Sequence, residues 1–88
     1  MPNTTQKTAT SQPSVLITGC SSGLGHALAL LFAQAGYPTY ATARRVEAIA
    51  DLAKAGCHTL ALDVTDDASI KAAIATVERA HGSVGILI

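Results

Sequence analysis

Val15-Leu16-Ile17-Thr18-Gly19-Cys20-Ser21-Ser22-Gly23-Leu24-Gly25 is the stretch on which the reading of the chain turns. Three apolar residues in succession predict a buried strand, and the glycines that follow turn the chain straight into an amphipathic helix. Glycine is required where backbone bends tightly or must lie close to a ligand, because it carries no Cβ. A helix that begins at such a turn presents several unpaired N–H groups and a partial positive charge. Strand, turn and helix start together predict a cradle for the diphosphate of a dinucleotide. The candidate contacts are Thr18, Gly19, Ser21, Ser22, Gly23, Leu24 and Gly25, the two serines assisting the turn's amides around phosphate oxygens. Leu24 is expected to sit under the ligand while packing its helix on the sheet. The competing reading is a flexible Gly/Ser connection that holds nothing.

Upstream, residues Met1 to about Pro13 are polar and lack apolar periodicity, and they read as a disordered leader without the apolar segment of a secretory signal. The first strand is expected over Ser14–Thr18. The first helix should run over Gly23–Ala35, with Leu24, Ala27, Leu28, Leu31 and Ala35 on its buried face, Phe32 widening that face, and Gly36 capping the end. Within it His26 reads either as a phosphate contact or as an exposed helix histidine. A second strand over Tyr37–Ala43 tolerates Pro38 only at its start. Arg44 and Arg45 follow, then a second helix over Val46–Ala55 with Val46, Ile49, Ala50 and Ala53 on one face. Cys57–Leu62 is expected as the third strand. The third helix starts near Thr65 or Asp66, carries Ile70, Ala73, Ile74, Val77 and His81 at helical spacing, and closes at Gly82. Val84–Ile88 reads as a fourth strand, where the sequence stops. Alternating strands and helices with short connections predict an α/β fold of order βαβαβαβ, the N-terminal half of a doubly wound parallel sheet truncated in its fourth strand.

Ala43 and Arg44 stand about 20 residues after the glycines, where a dinucleotide fold places the group that reads the adenosine ribose. A carboxylate there would accept hydrogen bonds from a 2′-hydroxyl. Ala43 cannot do this, nor does it repel a phosphate, and the guanidinium of Arg44 suits bidentate phosphate binding. The other reading makes Arg44 and Arg45 solvated charges at a helix start, a role that fits Arg45 better than Arg44.

The pattern Thr18-Gly19-x-x-x-Gly23-x-Gly25 resembles the short-chain dehydrogenase/reductase family, and the resemblance extends over about Ser14–Ile88. It implies a partial Rossmann-type NAD(P)-binding domain over 14–88. Ala43 followed by Arg44 is similar to NADP-preferring members, which implies NADP(H) as cofactor ahead of NAD(H). Asp63-Val64 resembles the family's Asp-Val after the third strand, where the carboxylate faces the adenine amino group and the apolar neighbour packs on the ring; otherwise Asp63 is a turn or capping residue. The family's Asn-Asn-Ala-Gly motif and its Ser and Tyr-x-x-x-Lys set are not in this sequence. Neither Tyr37 nor Tyr40 has Lys four residues on, so no catalytic residue is assigned. The implied activity is that of an N-terminal portion of an oxidoreductase moving hydride between an alcohol and a carbonyl. The full-length protein is expected to take a small-molecule alcohol or ketone substrate and to be able to form homo-oligomers. Thr-Gly-Cys-Ser-Ser-Gly together with Ala-Thr-Ala-Arg-Arg is similar to members acting on steroids, retinoids or lipid-like ketones. The alternatives are a non-catalytic nucleotide-binding module and a truncated product without stable function, poorly soluble in isolation because its last strand leaves an apolar edge.

Composition agrees with this class. The chain has 88 residues, nearly half hydrophobic and few aromatic, so its core must be built from Ala, Leu, Ile and Val, as in strands buried on both faces. Formal net charge is zero and basic residues form no run, so no nucleic-acid or membrane partner is expected. No apolar run approaches the roughly 18 residues of a membrane span. Cys20 and Cys57 lack metal-ligand spacing, and His26, His58 and His81 form no recognisable cluster with them, so no metal is expected. Cys57 is expected as a small buried hydrophobe. Reduced thiols and a cytoplasmic location follow as the default.

Overall fold

Val15, Leu16 and Ile17 form β1 (Val15–Ile17), and all three are essentially without solvent exposure. Adjacent residues of a strand point to opposite faces, so this continuous burial requires cover on both sides of the sheet. In the computed structural model, which describes residues 12–88, that cover is supplied by helices. The elements run β1, α1 (Gly23–Gln34), β2 (Thr39–Ala43), a 3₁₀ turn (Val46–Ile49) leading into α2 (Ala50–Lys54), β3 (His58–Ala61), α3 (Asp67–His81) and β4 (Ile86–Leu87). All neighbouring strands are parallel and lie in the order β3-β2-β1-β4. The chain therefore steps outward from β1 to β3 and then returns to the other side of β1. That reversal is the switch point at which doubly wound sheets open a crevice beyond their carboxyl ends. The polar leader expected before the first strand lies outside the described residues except for Gln12 and Pro13.

Two cores follow from the alternation. Val15, Ile17, Ala41 and Ala43 face α1 and α2, where they meet Ala29, Ile49, Leu52 and Cys57. Leu16 and Tyr40 face α3 through Val77, with Leu60 and Ile74 packed alongside. The face expected for α3 is the one observed, with Ala73 and Val77 buried, and Asp66 accepts a capping bond from the Ala68 amide at 3.0 Å. Its last residue, His81, meets the Tyr40 hydroxyl at 2.9 Å through Nε2.

Strands β2 and β3 are shorter than expected, because their flanking amides are spent on helix ends. Tyr37 N–H donates to Phe32 O at 3.1 Å and Cys57 N–H to Leu52 O at 3.0 Å, while Pro38 has no amide to give. The second helical segment opens as a 3₁₀ turn and continues as α-helix, and Ile49 and Leu52, three residues apart, share its inner face. These two are buried; Val46, Ala50 and Ala53, expected on the inner face, are exposed.

The inner face of α1 also requires correction. Leu24 is 73% exposed and Leu31 61% exposed, and Ala27 and Ala35 are exposed as well, whereas Ala29 is fully buried. The reason lies one turn earlier. A Cβ on Gly25 would stand 2.4 Å from the carbonyl oxygen of Gly19, so α1 approaches the sheet along Gly25, Ala29 and Ala33. Contact this close selects the small-residue stripe and rotates the leucines at 24 and 31 outward; Leu28 and Phe32 pack at its edge. Leu24 therefore does not pack its helix on the sheet.

Gly25→Ala should lower folding stability by about 1–3 kcal/mol, as overpacking does, even though Ala favours helix by about 1 kcal/mol over Gly. Urea unfolding reads this as a lower midpoint at unchanged slope, and an unchanged or higher midpoint would contradict the close approach.

Candidate functional site

The turn after β1 is held in place from two neighbouring strands. Cys20 N–H donates to Thr42 O at 2.9 Å and the Thr42 hydroxyl to Ile17 O at 2.8 Å, tying the turn to β2. On the other side Thr18 donates both its amide, at 2.9 Å, and its hydroxyl, at 3.0 Å, to Ile88 O. Cys20 is fully buried beneath the turn with its thiol on Ile17 O, and burial pushes that thiol above its ordinary pKa. It is an anchor, shielded and protonated at neutral pH.

Above these anchors the turn is open. Gly19 and Gly23 sit at φ of +66° and +63°, a conformation that L side chains rarely adopt, and a Cβ on either would meet nothing within 4 Å. Ser22 precedes α1 in extended conformation without a side-chain capping bond, and the first turn of α1 holds no acidic residue. The amides and the positive dipole end at this helix start are therefore free of neutralising side chains.

A cleft of about 280 Å³ runs from the turn across the carboxyl ends of the strands. The turn contributes Gly19 and Ser21, the end of β2 contributes Ala43, Arg44 and Arg45, and the segment after β3 contributes Leu62 and Val64. Of the residues singled out in the sequence, Gly19, Ser21, Arg44 and Val64 thus share one cavity. Ser22, Gly23, Leu24 and Gly25 shape the adjoining helix start without lining it. Thr18 lines a second, apolar groove of about 290 Å³ on the α3 side, with Leu62 and Val64 common to both. Ala48 and Leu62 were not legible as site residues, since a small and an aliphatic residue carry no chemical signal.

Asp63 stands at the edge of the cleft and is already engaged. Its Oδ1 accepts the Thr65 hydroxyl at 2.6 Å and the Thr65 amide at 2.9 Å, and its Oδ2 lies 3.9 Å from the Arg44 guanidinium. The Thr65 hydrogen bonds hold its carboxyl below the ordinary pKa, with Arg44 a smaller influence. The turn-forming role is therefore realised by one oxygen, leaving the other towards Arg44. His26 makes a 2.6 Å contact with Asp51, which links the start of α1 to α2 and lowers the Asp51 pKa. The cleft has the basic and apolar lining to hold an anion with a flat apolar group beside it. No helix among the described residues is long and apolar enough to cross a membrane.

Comparisons with known proteins point the same way. A family model described as short chain dehydrogenase matches residues 13–88. The NADPH-dependent 1-acyldihydroxyacetone phosphate reductase of Schizosaccharomyces pombe is 51% identical over 76 residues, covering 84% of this chain and 26% of that protein. Among solved structures, a short-chain dehydrogenase from Streptomyces avermitilis superposes with a TM-score of 0.81 at 40% identity, covering 88% of this chain and 30% of the other. A metagenomic short-chain oxidoreductase in complex with NADP superposes with a TM-score of 0.73 at 30% identity, covering 85% of this chain and 37% of the other. The chain thus spans about a quarter to a third of the length of these relatives.

Replacing Thr65 with Ala should raise the Asp63 pKa towards the ordinary carboxylate value, whereas Arg44→Ala should move it less. Because the folded value is depressed, the stability that Asp63 contributes is present above its unfolded pKa and is lost as pH falls through the folded one. Carboxyl ¹³C shifts followed through an acid titration measure this. A larger response to Arg44→Ala than to Thr65→Ala would show that the ion pair, and not the turn, sets the carboxylate.

Proposed function

The chain belongs to the short-chain dehydrogenase family, and from that membership we propose that it forms the cofactor-binding portion of an NADP(H)-dependent oxidoreductase. One observation carries the reading. A single cleft joins the glycine turn to Arg44, with Ala43 where a carboxylate would otherwise contest the site.

The residues present fit a dinucleotide phosphate. The approach of Gly25 to Gly19 leaves no room for a Cβ, while the face of the turn at Gly19 and Gly23 stays clear. The amides of Gly19 and of Ser21 to Leu24 would hold the diphosphate, the Cys20 amide being spent on Thr42 O, with the Ser21 and Ser22 side chains beside them. Arg44 would receive the 2′-phosphate. Val64 and Leu62 would pack against the adenine, and Asp63 would accept its amino group through Oδ2. Leu24, 73% exposed at the start of α1, would lie against the bound cofactor. Thr18 would hold the turn in place from below through its bonds to Ile88 O.

When bound, the nicotinamide supplies or accepts the hydride exchanged with an alcohol or carbonyl substrate. This chain's own contribution is to bind and orient that group; proton transfer and substrate selection fall to residues outside this sequence. The NADPH dependence of the Schizosaccharomyces pombe relative, and the NADP held by the metagenomic structure, support the choice of NADP(H) over NAD(H).

Titration of both cofactors against the natural chain carrying these residues should give tighter binding of NADP(H). Arg44→Ala should weaken NADP(H) by about 10- to 150-fold, the equivalent of one charge-assisted hydrogen bond, and leave NAD(H) little changed. Equal affinities for the two cofactors in the unmodified protein would defeat the assignment.

A further inference from the structure

We propose that Thr42 is a positioning residue for the glycine turn. It holds the chain one residue out of step with β2 at Gly19, so that the Gly19 amide faces the cleft instead of completing the sheet. The proposal rests on the reading of the cleft as an NADP(H) site and concerns a residue that lies behind it. Thr42 is fully buried, and its neighbours Ala43 and Arg44 supply the lining.

The case begins with the register of the two strands. Val15 pairs with Thr39 and Ile17 with Ala41, and the Val15 amide donates to Pro38 O at 2.9 Å. In a parallel ladder the same bond recurs every second residue, which would bring the Gly19 amide to Thr42 O. The Cys20 amide occupies that oxygen instead, at 2.9 Å. One extra residue has therefore entered the strand end. It is Gly19, whose φ of +66° is the left-handed conformation that glycine adopts in a bulge. Among the described residues the Gly19 amide donates to no other group, and Gly19 lines the cleft.

Thr42 grips the chain on both sides of this extra residue. Before it, the Thr42 hydroxyl donates to Ile17 O at 2.8 Å; after it, Thr42 O accepts the Cys20 amide. A β-branched side chain is stiff about χ1, so the two grips keep a set distance from each other. Ile17 O also takes the Cys20 thiol at 3.3 Å, but a thiol is a weak donor and leaves the main hold to the hydroxyl. A buried hydroxyl is costly without a partner, which keeps the bond to Ile17 O in place. Valine would fill much the same space without the donor, and serine keeps the donor with less bulk.

The test is a calorimetric titration of the natural chain carrying these residues. It compares NADP(H), which carries the diphosphate, with adenosine 2′-monophosphate, which carries only the adenine and the 2′-phosphate. Thr42→Val should weaken NADP(H) by about 2- to 12-fold, as loss of one neutral hydrogen bond does, and leave adenosine 2′-monophosphate unchanged. Thr42→Ser should restore NADP(H) affinity, which a role in packing alone would not allow. Amide hydrogen exchange reads the register directly: in the unmodified protein Gly19 should exchange fast and Cys20 slowly. In Thr42→Val, Cys20 should lose its protection while the amides of β1 keep theirs. A protected Gly19 amide in the unmodified protein overturns the register shift without any variant. If the unmodified protein does not bind NADP(H), the reading of the cleft falls and the role built on it falls too. If it binds, and Thr42→Val keeps that affinity or loses both ligands alike, the positioning role is overturned while the reading of the cleft stands.

Discussion

The structure depends on one short distance. Gly25 lies so close to Gly19 that any Cβ would overlap a backbone carbonyl oxygen. That approach lets a helix start against the end of a buried strand with only the turn at 18–22 between them. It fixes which stripe of α1 faces the sheet, and it aims unpaired amides at the crevice where strand order reverses. The bonds from Cys20 to Thr42 and from Thr18 to Ile88 then pin the turn to the strands on either side. Backbone fixed before binding lowers the ordering cost of taking up a ligand.

Most of the architecture was legible because strand and helix periods rest on simple geometry. The apolar run at 15–17, the glycine spacing and the α3 face all survive in the structure. The α1 face did not, and the failure is informative. Counting hydrophobic residues ranks leucine above alanine and glycine, but the sheet contact is decided by how near the backbones must come. Leu24 and Leu31 lose to Gly25 and Ala29 for that reason. The second helix misled in a related way, since a 3₁₀ turn has a different period from the α-helix assumed for it.

The site was legible where residues carry chemistry and obscure where they supply only space. Arg44 stood out by its position after Ala43, and it lines the cleft. Ala48 and Leu62 are visible only once folding brings them to the cleft. Asp63 shows how a single carboxylate divides its duties, one oxygen closing the turn at Thr65 and the other turned to Arg44. His26 and Asp51, 25 residues apart, gave no sequence signal of their pairing; it stitches the glycine-turn helix to the segment that follows the arginines. Together these contacts tie the start of α1 and the segment after β2 to their neighbours on either side of the cleft.

The central claim is that the bare peptide amides of the turn, Gly19 and Ser21 to Leu24, would hold the diphosphate of a nucleotide. Amide ¹H–¹⁵N shifts recorded while NADP(H) is added test this residue by residue. The account predicts that the largest changes fall on the turn and the first residues of α1, with a smaller set at Arg44, Arg45 and Val64. Saturable binding that leaves the amides of the turn unmoved would contradict it.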